Sequence, residues 1–392
     1  MRRTLFSIIA LVLTIVAGAQ TLNVKVGSVT YQFPALQTGE MTYANGETLT
    51  IMGKTFTLAD ITAMTVDNSK VSDGTIGVSY NGSTAEVTVA GNVAQYVTPT
   101  ISGAHVSIAQ SDDLAEEITY TLSGTSTDGE FYMSGSYKAT IELKGLTLTN
   151  ATPVYSGAAI HIQNGKRIKV KPITGTTSTL VDAAGGSQKG CLYIKGHAEF
   201  AQKGTLNVVG NAKHGIKTDE YFTIKNAPIN VTSAVGDGIS CAEYFLMESG
   251  TINISGTGDD GIQCDISGDA STGETTDHED EDSGNVYIEG GTINITVTAD
   301  AAKGIKAEGD IKISGGDITV KTSGGGLWDS TMVVSGASQP TLKSGVTVSS
   351  GTSIFDGVGY TGATVTGGSS VNLSAYSSGG GGDPGGGGGH GH

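Results

Sequence analysis

The sequence predicts an all-β protein whose main part is a parallel β-helix, a solenoid with coils of about 23 residues. Two columns of apolar residues share this period. The first, with glycine before each isoleucine, is Ile216, Ile239, Ile262 and, after an insertion of 20 residues, Ile305. The second is Leu206, Ile229 and Ile252, continued by Ile293 and Ile318. A content of 60 glycines and only 7 prolines also suits many strands joined by tight turns.

The chain begins with a predicted signal peptide, residues 1–19. Arg2 and Arg3 precede an apolar core, and small residues stand just before Gln20. The apolar run is too short for a confident membrane span, and no second long run follows. We therefore expect a secreted chain with no membrane span after cleavage, either extracellular or at the cell surface, with the periplasm as the alternative.

The remaining chain divides by composition into three parts. Residues 20–103 alternate apolar and polar side chains between turn residues, which predicts a small β-rich N-terminal domain. Residues 104–375 carry the repeat and are predicted to form the β-helix domain, interrupted by an acidic insertion at 266–283. Residues 376–392 are rich in glycine and are predicted to be a flexible tail.

Strand segments within the coils alternate between apolar and polar residues. In "TINIS", Ile252 and Ile254 are predicted to point inward and Asn253 outward. The segments "PINVT" and "TINIT" repeat this arrangement with Asn230 and Asn294. β-branched residues and the absence of a 3.6-residue stripe disfavour helices.

Charge and cysteine content limit the partners and the covalent framework. The chain has 22 basic and 38 acidic residues, and removal of Arg2 and Arg3 leaves a net charge of about −18. This excess disfavours nucleic acid as a partner and favours cations. The three cysteines do not suggest a disulfide framework, and Cys241 and Cys264, one period apart, are interpreted as buried small residues rather than a disulfide.

Four aspartates form the candidate metal site. Asp237 and Asp260 each precede the glycine of the repeat and are predicted to lie one coil apart, with Asp259 beside Asp260 and Asp265 at the other end of the same strand. Two like charges about 4.8 Å apart repel by about 1 kcal/mol in water and by several times more when partly buried. We therefore predict calcium at these residues. A solvated acidic turn is the alternative.

Basic and amide residues beside the acidic turns form the candidate ligand-binding face. Lys217 and Lys306 follow the repeat isoleucine at an outward position, Gln263 holds that position on an intervening coil, and Lys303 precedes the glycine. Such a face could bind a sugar carboxylate directly or through calcium. Solvated lysines without a ligand are the alternative.

The segments "HGIKTDEYFTIKNAPINVT", "GDGISCAEYFLMESGTINISG" and "AAKGIKAEGDIKISGGDITV" resemble the bacterial carbohydrate-binding β-helix family whose fold is polysaccharide-lyase-like. The resemblance covers roughly residues 104–330 and is specific in the repeated Gly-Ile-Lys or Asp-Gly-Ile phrase. It implies a right-handed parallel β-helix that binds cellulose or acidic, pectin-like plant polysaccharide and carries calcium on acidic turns. It also implies Asp237, Asp259, Asp260 and Asp265 as the calcium ligands.

The predicted function is non-catalytic polysaccharide binding, and no catalytic residue is assigned. A pectate-lyase-like enzyme that depends on calcium is one alternative, with Lys217, Lys303 or Lys306 as the base. Arg167, the one arginine outside the signal peptide, lies outside the acidic stretch. A polygalacturonase-like hydrolase with paired aspartates is a second alternative, and a cell-surface adhesin or structural rod is a third. The sequence does not predict an oligomeric state.

Overall fold

The structure is a computed structural model that describes most of the chain between residues 20 and 321. The described residues are 20–39, 41–268, 281–297, 299, 302–309, 311–313 and 315–321, with strand segments at 327–329, 341–342, 347–349 and 364–365. The predicted signal peptide, most of the acidic insertion and the glycine-rich tail lie outside them. The chain divides into two compact units, Met1–Asp219 and Glu220–His392.

Almost all regular structure in the described residues is β-strand. A single 3-10 turn, Ala94–Tyr96, is the only helical element that these residues contain. Accordingly, the part of the chain that the structure describes holds no helix with the length and apolarity needed to cross a membrane.

The first unit is built of twenty strands. Numbered β1 to β20, they are Thr21–Val26, Val29–Pro34, Thr42–Ala44, Thr48–Ile51, Lys54–Thr57, Ile61–Asp67, Thr75–Asn81, Thr84–Ala90, Val97–Ser102, His105–Gln110, Ile118–Ser126, Glu130–Ser134, Ala139–Thr149, Ile160–Gln163, Ile168–Pro172, Thr177–Val181, Gly190–Ile194, Ala198–Ala201, Thr205–Gly210 and His214–Thr218.

Pairing in this unit changes from antiparallel to parallel along the chain. Antiparallel pairs join β1 to β2 and β6, β7 to β8, and β9 to β10. The short strands β3, β4 and β5 form a separate antiparallel sheet. From β10 onward all pairs within the unit are parallel, and one stack runs β10, β12, β14, β17, β20. Because β7 also pairs in parallel with β11, the N-terminal strands continue into the later sheet.

The second unit holds the remaining fifteen strands that the structure describes. Numbered β21 to β35, they are Phe222–Lys225, Pro228–Ala234, Ile239–Ala242, Tyr244–Met247, Thr251–Ser255, Ile262–Asp265, Asn285–Ile288, Thr292–Thr296, Ile305–Ala307, Ile311–Ile313, Asp317–Lys321, Leu327–Asp329, Thr341–Leu342, Thr347–Ser349 and Thr364–Val365.

Between β21 and β32, strands that are three places apart along the chain pair in parallel. One stack is β21, β24, β27 and β30, another is β22, β25, β28 and β31, and a third is β23, β26, β29 and β32. The predicted columns lie in register, since Ile252 pairs with Ile229 and Ile293, and Ile262 with Ile239 and Ile305. The predicted all-β class and extensive parallel pairing are therefore confirmed, whereas closure into a coil and its hand stay predictions.

The strands bury one face because apolar and polar residues alternate along them. Ile252 and Ile254 are buried on either side of Asn253, as predicted. The rings of Phe222 and Phe245 stack in the core with centroids 5.2 Å apart. Cys191, Cys241 and Cys264 form no disulfide and are fully buried, and the last two lie in register. The interpretation of Cys241 and Cys264 as small core residues is confirmed.

Candidate functional site

The acidic turns of the second unit stack closely because glycine follows each aspartate. A Cβ atom on Gly238 would lie 2.6 Å from the side chain of Ile254 and 2.7 Å from the carbonyl oxygen of Gly261. Neither distance is possible for a real side chain. The Gly238 N–H donates to the carbonyl of Asp260 at 3.0 Å. The turn before β23 therefore lies directly against the equivalent turn before β26.

Two of the predicted aspartates form a hydrogen-bond ladder along these turns. Asp237 Oδ1 accepts the backbone N–H of Asp260 at 3.1 Å, and Asp260 Oδ1 accepts the backbone N–H of Lys303 at 2.7 Å. Both carboxylates belong to residues only 2% exposed. Each one satisfies the N–H of the equivalent position on the following turn, which gives the repeated aspartate a structural role beside any role in binding.

Asp237, Asp259 and Asp260 form a compact group, which we call the carboxylate cluster. One oxygen from each of the three lies within 4.8 Å of the others, and Asp259 is the exposed member. Burial raises the pKa of Asp260 to about 6, and the charges of Asp237 and Asp259 add to this rise. The Lys303 N–H and the Lys306 charge oppose it. The cluster thus concentrates negative charge at a site where water is largely excluded.

The candidate ligand residues of the second unit lie beside this cluster. Lys306 Nζ is 3.5 Å from Asp260 Oδ2, while Lys303 contributes its backbone N–H. Gln263 pairs in register with Lys306 and donates from Nε2 to Asp265 Oδ1 at 2.7 Å. Asp265, at the far end of β26, is not a member of the three-carboxylate group.

Hydrogen bonds join the first and last described residues of the acidic insertion. Asp282 accepts the backbone N–H groups of Ser267 and Gly268 at 2.7 and 2.8 Å. The N–H of Ser283 donates to the carbonyl of Glu243 at 3.1 Å, which ties the return of the insertion to the sheet. The carboxylate of Asp282 therefore joins the two ends of the insertion.

The remaining candidate, Lys217, lies in β20 of the first unit. It pairs in register with Tyr193, which pairs with His161, which pairs with Tyr132. The sequence analysis missed this column because its members are 29, 32 and 24 residues apart rather than 23. In each of these strands, one aromatic or basic residue stands between two buried residues. This pattern is a signal from which the column could be predicted.

Comparison with known proteins agrees with this architecture. A family model described as "Carbohydrate-binding domain-containing protein" matches residues 102–374. No curated protein matches the chain. Among solved structures, the chain is similar to the "polysaccharide lyase-like protein from C. thermocellum, Gadolinium derivative", with 20% identity and a TM-score of 0.50 over 74% of this chain and 99% of that one. This similarity concerns the fold alone. Because the family model covers well over half of the sequence, the chain belongs to the carbohydrate-binding domain-containing family.

Proposed function

We propose that this protein is a secreted, non-catalytic polysaccharide-binding protein. In this proposal it is a right-handed parallel β-helix that binds acidic or cellulose-like plant polysaccharide and holds calcium at the carboxylate cluster. Family membership over residues 102–374 carries the proposal. The carboxylate cluster supports its calcium component.

The strand order of the second unit supports a coil. Three parallel stacks begin at β21, β22 and β23. In each stack the next member is the strand three places later along the chain, and the stacks extend to β30, β31 and β32. A chain that visits three stacks in rotation and returns to the first after one period follows the path of a solenoid. Parallel connections of this kind are right-handed in almost all proteins.

The chemistry of the carboxylate cluster fits a hard cation. Calcium binds oxygen at 2.3–2.6 Å, so two ligands of one ion lie up to about 5 Å apart. The three carboxylates of the cluster meet this limit, with oxygens within 4.8 Å of one another. Asp237 Oδ1 and Asp260 Oδ1 each accept a backbone N–H, which fixes both carboxylates in the cluster. We assign Asp237, Asp259 and Asp260 as the ligands.

Lys306 gives the proposed calcium site a competitor. Its ammonium lies 3.5 Å from Asp260 Oδ2, an oxygen that calcium would also use. A bound ion would release Lys306 toward solvent, where it could meet a sugar carboxylate together with Gln263 in the neighbouring strand. The proposal therefore couples ion binding to the candidate ligand-binding face of the second unit.

Retention on insoluble glycans tests the proposed function. The mature protein, residues 20–392, is mixed with insoluble pectate, with cellulose and with a neutral gel of the same particle size, in calcium or in chelator. We expect retention on pectate or cellulose above the neutral gel, and weaker retention of any calcium-bridged fraction in chelator. Equal recovery on all three materials would instead support a rod or an adhesin without a sugar site.

A parallel assay separates binding from catalysis. The protein is incubated with soluble polygalacturonate and calcium while the ultraviolet absorbance of unsaturated uronate products is followed. We expect no increase above the protein-free rate. An increase that Lys303→Gln and Lys306→Gln abolish would replace the binding proposal with a lyase.

A further inference from the structure

The first unit carries a row of rings on its outward face, which we call the aromatic column: Tyr132, His161 and Tyr193. Adjacent rings are 4.8 and 4.7 Å apart between centroids. Each ring lies between two buried apolar residues of its own strand, so all three project from the same side of the stack β12, β14, β17. The interplanar angles are 74° between Tyr132 and His161 and 49° between His161 and Tyr193, so the rings contact one another as a row across three strands.

A fourth ring, on a loop, continues this row. Tyr155 stacks on Tyr132 with centroids 5.2 Å apart and an interplanar angle of 25°. The loop is held by Glu130, whose Oε1 accepts the backbone N–H groups of Val154 and Tyr155 at 2.7 and 3.0 Å. Glu130 is therefore a positioning residue for the Tyr155 ring.

Polar groups fix the other rings in orientation. His161 lies between the Ser156 hydroxyl, 2.7 Å from Nδ1, and Gln163 Oε1, 3.0 Å from Nε2. Burial is the main cause that lowers the pKa of His161, which favours the neutral ring. The Tyr193 hydroxyl donates to Asp219 Oδ2 at 2.5 Å. Because their orientation is already fixed, these rings lose little conformational entropy when a ligand binds to them.

The charge around the column is cationic or compensated. Lys189 Nζ lies 2.9 Å from Asp219 Oδ2 and 5.4 Å from the centroid of Tyr193, so the nearby carboxylate is paired. Lys217 pairs in register with Tyr193 on β20, the strand that follows at that end of the row. Without Arg2 and Arg3 of the predicted signal peptide, the first unit contains 14 basic and 16 acidic residues, against 6 and 22 in the second.

From this geometry we propose that the aromatic column is a glycan-binding site, and that its ligand is a chain of pyranose sugars with carboxylate groups. The C–H groups of pyranose rings would contact the exposed parts of the Tyr132, Tyr155 and His161 rings. Lys217 would pair with a sugar carboxylate at the end of the row. Tyr193, at 7% exposure, acts mainly as the ring that supports His161.

This inference rests on the proposed function and makes it more specific. It adds a sugar-binding surface in the first unit to the candidate ligand-binding face beside the carboxylate cluster of the second unit. An aromatic row could also serve packing alone, as the fully buried Phe222 and Phe245 do. The half-buried state of Tyr132, Tyr155 and His161, and the lysine at the end of the row, distinguish the column from such a core pair.

Titration with oligogalacturonates of the mature protein and its variants tests the site. We expect Tyr132→Ala and His161→Ala each to weaken binding about tenfold, the loss that corresponds to about 1.4 kcal/mol. Tyr132→Phe should retain most of the affinity because it keeps the ring. Lys217→Gln should weaken binding about three- to tenfold for oligogalacturonates and leave binding of carboxyl-reduced oligomers unchanged.

Matched variants control for general effects on the unit. Tyr96→Ala removes another half-buried tyrosine of the first unit, and Lys171→Gln another half-buried strand lysine of that unit, both outside the column. Both should bind as the unchanged protein does. Unfolding midpoints are measured for all variants, and Tyr132→Phe keeps the test decisive if an alanine variant does not fold.

The possible outcomes separate the site from the function. If the unchanged protein binds no glycan, the proposed function itself fails. If it binds, but folded Tyr132→Ala and His161→Ala variants bind equally well, the aromatic column is a packing feature and only this inference fails. Loss of binding in Asp237→Asn with Asp260→Asn, and not in the column variants, would move the site to the second unit.

Discussion

Each unit buries carboxylates, but the two units surround them differently. Glu130 in the first unit is 2% exposed, as are Asp237 and Asp260 in the second. Glu130 accepts four hydrogen bonds, and its donors are the N–H groups of Val154 and Tyr155, Asn150 Nδ2 and His105 Nδ1, at 2.7, 3.0, 3.0 and 2.9 Å. Its negative charge is thus matched by donors from the protein itself.

The second unit brings like charges together instead. Asp237 Oδ1 and Asp260 Oδ1 each accept a backbone N–H, and the two residues lie with Asp259 in a group whose oxygens are within 4.8 Å of one another. The one ammonium that the structure gives to Asp260 is Lys306, at 3.5 Å. Burial alone therefore does not indicate a metal site. The balance between donors and neighbouring negative charges distinguishes a structural carboxylate from a candidate ligand.

The largest effect expected from this comparison is the loss of Glu130. We expect Glu130→Ala to lower the free energy of unfolding by about 3 to 5 kcal/mol, because it leaves several buried donors without an acceptor. Glu142→Ala is the control, since half-buried Glu142 accepts a side-chain hydrogen bond from Thr121 and should cost about 1 kcal/mol. Denaturant unfolding measures both. Equal losses would show that Glu130 is not the anchor of its loop.

Calcium should stabilise the protein through the second unit. At a calcium concentration 100 times its dissociation constant, we expect a gain of about 2.7 kcal/mol over the chelated protein. Asp237→Asn combined with Asp260→Asn should abolish the gain while retaining oxygen acceptors for the two backbone N–H groups. Asp265→Asn, at the end of β26 that is farther along the chain from Asp259 and Asp260, should retain it. A calcium response that survives in the double variant would remove the ion from this cluster.

The pH dependence of stability, measured on the protein in chelator, tests the same contrast. Unfolded aspartate loses its proton near its ordinary pKa of 3.8, whereas folded Asp260, whose pKa is raised chiefly by burial, keeps it until about pH 6. The folded state therefore holds more protons in this window, so stability falls as the pH rises through it. We expect a loss of about 3 kcal/mol, at about 1.4 kcal/mol per pKa unit. Asp260→Asn should lack this step, and an identical pH profile for both proteins would contradict it.

The regular period made much of the second unit predictable. Spacings of 23 residues placed Ile239 against Ile262 and Ile229 against Ile252, because equal coil lengths preserve register. The same period placed Asp237 near Asp260. It did not give the hydrogen bond from the Asp260 N–H to Asp237, since side-chain oxygens and backbone donors of a turn depend on local dihedral angles.

The first unit could be predicted only as strands. Its connections vary in length, so Tyr132, His161 and Tyr193 share a column without sharing a period. The donors to Glu130 likewise come from β10 and from the loop after β13, and sequence distance gave no reason to bring them together. Columns become visible in such a unit only after strand register is known.

The smallest expected effect compares outward amides of the two units. In the second unit, Asn253 Nδ2 donates to Asn230 Oδ1 at 2.7 Å and Asn253 Oδ1 accepts from Asn294 Nδ2 at 2.9 Å. We expect Asn253→Ala to cost about 1 kcal/mol, because two hydrogen bonds are lost where water can replace them. In the first unit, Asn207 Nδ2 donates to Thr179 Oγ1 at 3.4 Å, a long and weak hydrogen bond, so loss of this bond in Asn207→Ala should cost less than about 0.5 kcal/mol. Denaturant midpoints resolve this difference. If Asn207→Ala costs as much as Asn253→Ala, the regular spacing of the second unit gives its amide ladder no additional stability, and the contrast between the units is confined to their charged groups.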